Sequence, residues 1–71
     1  MSRAPSITVN GERRPFKGQS LRALIAEMGI GPERRGVAVA INDQVVPRAG
    51  WDGTVPEPGD VVEIVQPMAG G

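Results

Sequence analysis

One segment of this sequence has the spacing of an amphipathic helix, and it limits the folds that the chain can adopt. The three- and four-residue spacing that places side chains on one helix face is met by Leu21, Leu24, Ile25 and Met28. Ser20 is a suitable N-cap, and Gly29 can take the left-handed conformation that ends a helix, so we expect the helix to stop near Met28. Its apolar face must pack on another layer, which we expect to be a sheet.

Before the helix, the sequence predicts a β-hairpin. Residues 6–10 alternate polar and apolar side chains, and Asn10-Gly11 is a strong hairpin signal because a type I′ turn needs positive φ at both central positions. The second strand should cover residues 12–17. Pro15 lies within it and cannot donate a ladder hydrogen bond, so we expect this strand at an edge of the sheet.

After the helix, short apolar runs separated by turn residues predict the remaining strands. These strands cover residues 37–41, 45–46 and 61–66. Asn42-Asp43 is the predicted turn between the first two. In the last strand we expect Val62 and Ile64 to face the core and Glu63 to face water, since successive side chains point to opposite faces.

This order of elements predicts an α+β fold of the β-grasp, or ubiquitin-like, type. A mixed sheet of about four or five strands carries one main helix across it. The strand–helix–strand connection permits a right-handed crossover that places the last strand parallel to another. We expect a β-grasp domain over residues 1–66 and a flexible C-terminal tail over residues 67–71, ending in Gly-Gly.

Composition argues against several classes of function. The chain has 71 residues, no cysteine, no histidine and a formal net charge of zero. A basic field for nucleic acid or an anionic membrane is therefore missing, as are the thiolate and imidazole that metal sites and general bases most often use. The carboxylates are scattered and form no acid–base pair. We predict a soluble, cytoplasmic protein that is not an enzyme and holds no metal or cofactor of its own.

The C-terminus is the remaining candidate for chemistry. Gly71 ends in a carboxylate that is ionised at neutral pH. Because glycine has no Cβ, Gly70-Gly71 could enter a narrow channel and bring this carboxylate to the α-phosphate of ATP in another protein's nucleotide site. Fully extended, residues 67–71 could span about 16–18 Å. The sequence therefore predicts a carrier whose working group is the Gly71 carboxylate.

Several landmarks along the chain form a specific set when they are taken together. They are residues 39–48, with Asn42 and Val46-Pro47-Arg48, then Trp51, residues 58–64 and the terminal Gly70-Gly71. This set resembles the bacterial thiazole-biosynthesis sulfur carrier family, ThiS. The resemblance covers nearly the whole chain, and it includes the opening hairpin and the leucine-containing helix.

The resemblance implies a sulfur carrier of thiamine biosynthesis and its partners. An E1-like adenylating enzyme of the ThiF type would activate Gly71 with ATP. A persulfide donor, such as a cysteine desulfurase, would convert it to a thiocarboxylate that donates sulfur to a thiazole synthase of the ThiG type. Gly70 would provide the slender approach, and Met68 and Ala69 would line the channel of the activating enzyme.

Two other interpretations remain open at this point. The stretch Gln66-Pro67-Met68 also resembles the Pro-containing tails of the molybdopterin synthase small subunit, a sister family with the same fold. The thiocarboxylate could then serve molybdopterin formation, transfer-RNA thiolation, cysteine synthesis or protein modification. Alternatively, the chain is a plain β-grasp interaction module, and its Gly-Gly end has no role.

Three residues are candidates for contact with partner proteins. Glu63 is expected on the sheet face away from the helix. Arg48 could pair with an acidic partner surface or remain solvated. Trp51 could anchor a partner or cover one end of the core, since tryptophan is common in both settings.

Overall fold

The computed structural model describes residues 4–67, and within that range the chain forms strands and one helix in the predicted order. The elements are β1 (Ser6–Val9), β2 (Glu12–Pro15), α1 (Leu21–Glu27), β3 (Ala38–Ile41), β4 (Gln44–Val46), a 3-10 turn (Arg48–Gly50) and β5 (Val61–Val65). Residues 68–71 lie outside the described range, so the division into a domain of residues 1–66 and a tail of residues 67–71 stays a prediction.

The strands form a five-stranded mixed sheet in the order β2-β1-β5-β3-β4. Strand β5 is parallel to β1 and antiparallel to β3, with Thr8 opposite Val61 and Val39 opposite Ile64. This is the β-grasp arrangement, and the predicted parallel placement of the last strand is confirmed. The sequence had left open which strand is central, and the structure assigns that place to β5.

Both predicted turns are present, and Asn10-Gly11 has the positive φ values that the sequence predicts. Asn10 and Gly11 have φ values of 51° and 83°, and Asn42 and Asp43 have values of 49° and 69°. Strand β2 lies at a sheet edge, as the proline within it predicts, but it ends at Pro15 and does not reach residue 17. The N–H of Phe16 still donates to the Pro5 carbonyl at 3.0 Å, but Pro5 has no N–H with which to extend the ladder.

Helix α1 has a partner for every backbone N–H of its first turn. The Ser20 hydroxyl accepts from the N–H of Ala23 at 3.2 Å, which confirms Ser20 as the N-cap. The N–H groups of Leu21 and Arg22 donate to the carbonyls of Thr54 and Trp51, at 2.9 and 3.2 Å. These bonds tie the start of the helix to the loop that precedes β5.

A Schellman motif closes the C-terminal end of the helix. Gly29 has a φ of 80° and donates its N–H to the Ala26 carbonyl at 3.0 Å. Ile30 donates to the Ile25 carbonyl at 3.2 Å, and its side chain folds back into the core. The predicted stop near Met28, the helix C-cap, is confirmed.

The core lies between the helix and one face of the sheet. It consists of Ile7, Val9, Leu21, Leu24, Ile25, Ile30, Val37, Val39, Trp51, Val62 and Ile64. Three of the four predicted helix positions are buried, and Met28 packs at the margin of the cluster. Val62 and Ile64 are 0% and 5% exposed while Glu63 is exposed, so the predicted alternation along β5 is confirmed.

Candidate functional site

The predicted working residues lie outside the part of the chain that the structure describes. Met68, Ala69, Gly70 and Gly71 follow Pro67, which is the last described residue. Their roles therefore stay predictions, and the site can be built only as far as β5 and the two residues after it. This portion sets where the predicted carrier group joins the domain.

Strand β5 lies in the centre of the sheet and leads directly to Gln66 and Pro67. Its neighbours hold it on both sides, and an asparagine from each short turn adds side-chain hydrogen bonds. The Asn10 amide accepts from the N–H of Ile64 at 2.8 Å and donates to its carbonyl at 3.1 Å. Asn42 Oδ1 accepts from the N–H of Val61 at 2.9 Å. The strand is thus anchored near both of its ends.

Asp60 shapes the turn from which β5 starts. Its Oδ2 accepts from the N–H of Glu57 at 2.8 Å, and its Oδ1 accepts from Asn42 Nδ2 at 3.1 Å. Gly59 has a φ of 90°, a conformation that glycine adopts without strain. Asp60 therefore serves the turn and its register against the neighbouring hairpin, and its carboxylate is engaged within the chain.

Gln66 and Pro67 are held against the loop of residues 31–36. Arg34 donates from Nη1 to Gln66 Oε1 at 3.0 Å, and its Nη2 lies 3.5 Å from the Pro67 carbonyl oxygen. Gly36 lies so close to the proline ring that a Cβ on it would sit 2.6 Å from Pro67 Cγ. The chain after β5 therefore runs along the body of the domain as far as Pro67.

Trp51 is a core residue, which excludes it as the possible partner contact that the sequence also allowed. It is 1% exposed, and its Nε1 donates to the Val46 carbonyl at 2.9 Å. An indole with a buried ring and a satisfied N–H has no face left for a partner. Of the two roles that the sequence allowed, the structure shows the covering of the core.

Arg48 also makes its contacts within the chain. Its guanidinium carbon lies 4.5 Å from the centroid of the Trp51 ring, a cation–π geometry. The two terminal nitrogens donate to the backbone carbonyls of Pro32 and Arg34. Arg48 thus fastens the loop of residues 31–36 to the buried tryptophan, although its side chain is exposed. Arg48 is therefore engaged within the chain, and neither of the two roles expected from the sequence, a solvated side chain or a contact to an acidic partner, accounts for these bonds.

The part of the sheet face opposite α1 that β3, β4 and β5 form is mostly apolar. We call it the open sheet face and define it by Ala38, Ala40, Val45, Glu63 and Val65. Val45 and Val65 are 76% and 62% exposed, and Ala40 on β3 lies between Val45 on β4 and Glu63 on β5. A shallow depression of about 220 Å³ lies on this face. The predicted position of Glu63 on the face away from the helix is thus where the structure places it.

Residues 4–67 contain neither an acidic metal-binding cluster nor a membrane-spanning helix. No group of three or more acidic side chains there is arranged to hold a metal ion. None of the described segments forms a helix with the length and apolar character needed to cross a bilayer.

Three functional candidates were not found from the sequence. Arg34 was visible only as one of a pair of adjacent arginines, and Gly36 as one glycine among ten. Asn10 was recognised for its turn and not for its bonds to Ile64. Each of these contacts joins residues distant in sequence, so no local spacing in the sequence indicates it.

The fold and the anchored central strand define a ubiquitin-like β-grasp protein. The sequence model of the ThiS family matches residues 7–71. The sulfur carrier protein ThiS of Thermus thermophilus is 38% identical over 65 residues, which cover 92% of this chain and 98% of that protein.

Solved structures agree with this match. The crystal structure of the thiamine biosynthesis protein ThiS from Geobacter metallireducens has a TM-score of 0.71 at 29% identity, covering 93% of this chain and 99% of that chain. An NMR solution structure of a thiamine biosynthesis protein from the same organism has a TM-score of 0.73 at 29% identity, covering 93% and 87%.

The chain belongs to the ThiS family. The family and the β-grasp fold that the sequence predicted are therefore confirmed. So is the prediction of a small sulfur carrier protein of thiamine biosynthesis, as opposed to an enzyme.

Proposed function

We propose that the C-terminal carboxylate of Gly71 is the group that carries sulfur. The observation that supports this most directly is the family match, which extends through residue 71 and so includes the Gly70-Gly71 end. The chain offers no thiol as an alternative carrier, since it contains no cysteine. The central position of β5 adds support, because the terminal residues follow a strand that is paired on both sides.

Activation takes place in the nucleotide site of an E1-like adenylating enzyme of the ThiF type. The Gly71 carboxylate attacks the α-phosphate of ATP, and pyrophosphate leaves. ATP is bound by that enzyme, and the carrier itself holds no cofactor. Gly70 lets the backbone approach the nucleotide closely, while Met68 and Ala69 line the channel that leads to it. These steps belong in the cytoplasm, where ATP is available.

Sulfur then replaces the adenylate. A persulfide sulfur, supplied by a donor such as a cysteine desulfurase, attacks the acyl carbon and AMP leaves, which forms an acyl disulfide. A second thiol attacks the sulfur–sulfur bond, becomes part of a disulfide itself, and releases the thiocarboxylate on Gly71. The thiocarboxylate gives its sulfur to a thiazole synthase of the ThiG type, and the carboxylate is regenerated by water.

Intact mass spectrometry tests this proposal. The full chain is incubated with ATP, the adenylating enzyme of the same organism, a persulfide source and a thiol. We expect a mass gain that matches replacement of one oxygen by one sulfur, and we expect the gain to vanish when Gly71 is deleted. No gain with an enzyme that is active on another substrate would contradict the carrier chemistry at Gly71 and favour a plain interaction module.

The accepting enzyme is identified by a second reaction. The thiocarboxylated chain is offered separately to thiazole synthase and to molybdopterin synthase's large subunit, and loss of its sulfur is followed by mass. We expect transfer in the presence of thiazole synthase alone. Transfer only to the molybdopterin enzyme would reassign the pathway and leave the chemistry of Gly71 intact.

The open sheet face is the surface that we assign to docking on the activating enzyme. It combines two largely exposed valines with one carboxylate, Glu63, which lies on β5, the strand that leads to the tail. Glu63→Lys reverses this charge, and we expect it to raise the KM for the carrier several-fold, since charge complementarity governs encounter at such surfaces. Glu57→Lys makes the same change in an exposed turn and is the matched control. Equal KM values for the two variants would remove this face from the proposal.

A further inference from the structure

The loop between α1 and β3 contacts Gln66 and Pro67, where the domain joins the predicted tail. It comprises residues 31–36, and we call it the tail platform. Arg34 donates to the side-chain oxygen of Gln66 at 3.0 Å, and Gly36 lies in van der Waals contact range of the Pro67 ring. Arg34 and Gln66 are 32 positions apart in sequence, so the contact is a product of the fold and not of local chain geometry.

The tail platform is itself fastened to the domain from two sides. Arg48 donates to the carbonyls of Pro32 and Arg34 while its guanidinium stacks on buried Trp51. On the helix side, Arg22 forms an ion pair with Glu33 at 2.8 Å. Because Trp51 is 1% exposed and fixed in the core, the contact with Arg48 holds the loop in place relative to the core.

Of the two glycines in the tail platform, Gly36 is required by two independent constraints. Gly36 has a φ of 85°, which side chains other than glycine rarely adopt. A Cβ at this position would also lie 2.6 Å from Pro67 Cγ, which is closer than two carbons can approach. The described glycines with open space around them include Gly11, Gly18, Gly29 and Gly59, which also have positive φ. Gly36 differs from them because it makes room for the chain that leaves β5.

We propose that the tail platform is a positioning device, in which Arg34 and Gly36 fix the point and the direction at which the chain leaves the domain at Pro67. This inference rests on the proposed function, since it concerns how the carrier presents its terminus to the adenylating enzyme. A terminus that starts from a fixed point loses less conformational freedom when it enters a narrow channel. Arg34 acts through Gln66 and Pro67 and is not a catalytic residue.

The main test separates binding from chemistry in the adenylation reaction. With Arg34→Ala, we expect the KM for the carrier in ATP–pyrophosphate exchange to rise roughly three- to tenfold. The reason is that the variant loses a charge-assisted hydrogen bond and, with it, the ordering of Gln66 and Pro67. We expect kcat to stay within about twofold, because the carboxylate reacts only after the tail is seated. Arg34→Lys keeps the charge but lacks the planar guanidinium, so its KM should lie between those of wild type and Arg34→Ala.

Arg35→Ala is the matched control. It removes the same charge from the next residue, which makes no side-chain hydrogen bond to any other residue that the structure describes. We expect wild-type KM and kcat for it. The proposal is overturned if Arg34→Ala and Arg35→Ala give the same KM, or if Arg34→Ala lowers kcat and leaves KM unchanged.

A second measurement does not depend on the adenylating enzyme. In the isolated chain, Gly36→Ala should shift the NMR resonances of Gln66 and Pro67 and leave those of Ile7 and Val9, in the distant β1 strand, unchanged. Wild-type shifts at Gln66 and Pro67 would overturn the tail platform. A wild-type chain that is never adenylated would instead contradict the proposed function, and the NMR comparison would still decide whether the platform exists.

Discussion

The side-chain amide of Asn10 bonds both backbone groups of Ile64, 54 residues further along the chain. It accepts from the N–H at 2.8 Å and donates to the carbonyl at 3.1 Å, as the backbone of a neighbouring strand would do. The amide therefore extends the pairing of β1 with β5 beyond the last backbone pair, Val9 with Val62. One residue thus serves both as a turn former and as a partner of the central strand.

Removal of this amide should destabilise the domain without changing its fold. We expect Asn10→Gly to lower the free energy of unfolding by about 1–3 kcal/mol, since two part-buried backbone groups of Ile64 lose their partner. Glycine tolerates the φ of 51°, so the turn itself is retained. Urea unfolding followed by circular dichroism measures the change. A stability equal to wild type would mean that water replaces the amide at no cost.

The φ requirement at Gly29 can be separated from steric crowding. A Cβ at either Gly29 or Gly53 would meet nothing within 4 Å, but only Gly29 has a positive φ, of 80°. We expect Gly29→Ala to cost about 1 kcal/mol through backbone strain. Gly53→Ala should be neutral or should stabilise by up to about 1 kcal/mol through the unfolded state. Thermal unfolding of both variants checks this, and equal effects would refute the role assigned to the Schellman motif.

Trp51 should report its burial directly in fluorescence. It is the sole tryptophan and is 1% exposed, so we expect blue-shifted emission and strong protection from acrylamide in the native protein. Both should be lost on unfolding. Emission typical of an indole in water under native conditions would contradict the core position and restore Trp51 as a candidate for partner contact.

Core truncation should be far more costly than truncation on the open sheet face. Ile25 is 0% exposed, and we expect Ile25→Ala to lower the free energy of unfolding by about 2–5 kcal/mol through lost burial and the cavity that remains. Val45 is 76% exposed, and Val45→Ala should change the free energy of unfolding by less than about 0.5 kcal/mol. Denaturant unfolding compares the two, and a large effect at Val45 would mean that this side chain packs against the domain.

Features governed by neighbouring residues were predictable from the sequence. The cap at Ser20, the reversal at Gly29 and the turns at Asn10-Gly11 and Asn42-Asp43 depend on the conformations that these residue types adopt locally. The alternation along β5 followed from the period of a strand. Local chemistry therefore gave the elements and their inward faces.

Features that depend on chain segments meeting in space were not predictable in this way. The central place of β5 is a choice among several sheet orders that the same elements allow. Arg48 carried no sign that it would stack on Trp51, and Arg34 none that it would reach Gln66. Long flexible side chains have many partners within reach, and tertiary geometry selects among them.

The central place of β5 also has a consequence for how the protein folds. Hairpins β1–β2 and β3–β4 are each local in sequence, but they contact one another in the sheet only through β5. A nascent chain that has emerged only to residue 60 thus lacks the strand that joins the two hairpins. Its helix then has no continuous sheet on which to pack. The sheet can form only when the segment Val61–Val65 inserts between them, and pairing of β1 with β5 across more than 50 residues makes this the slow, long-range step.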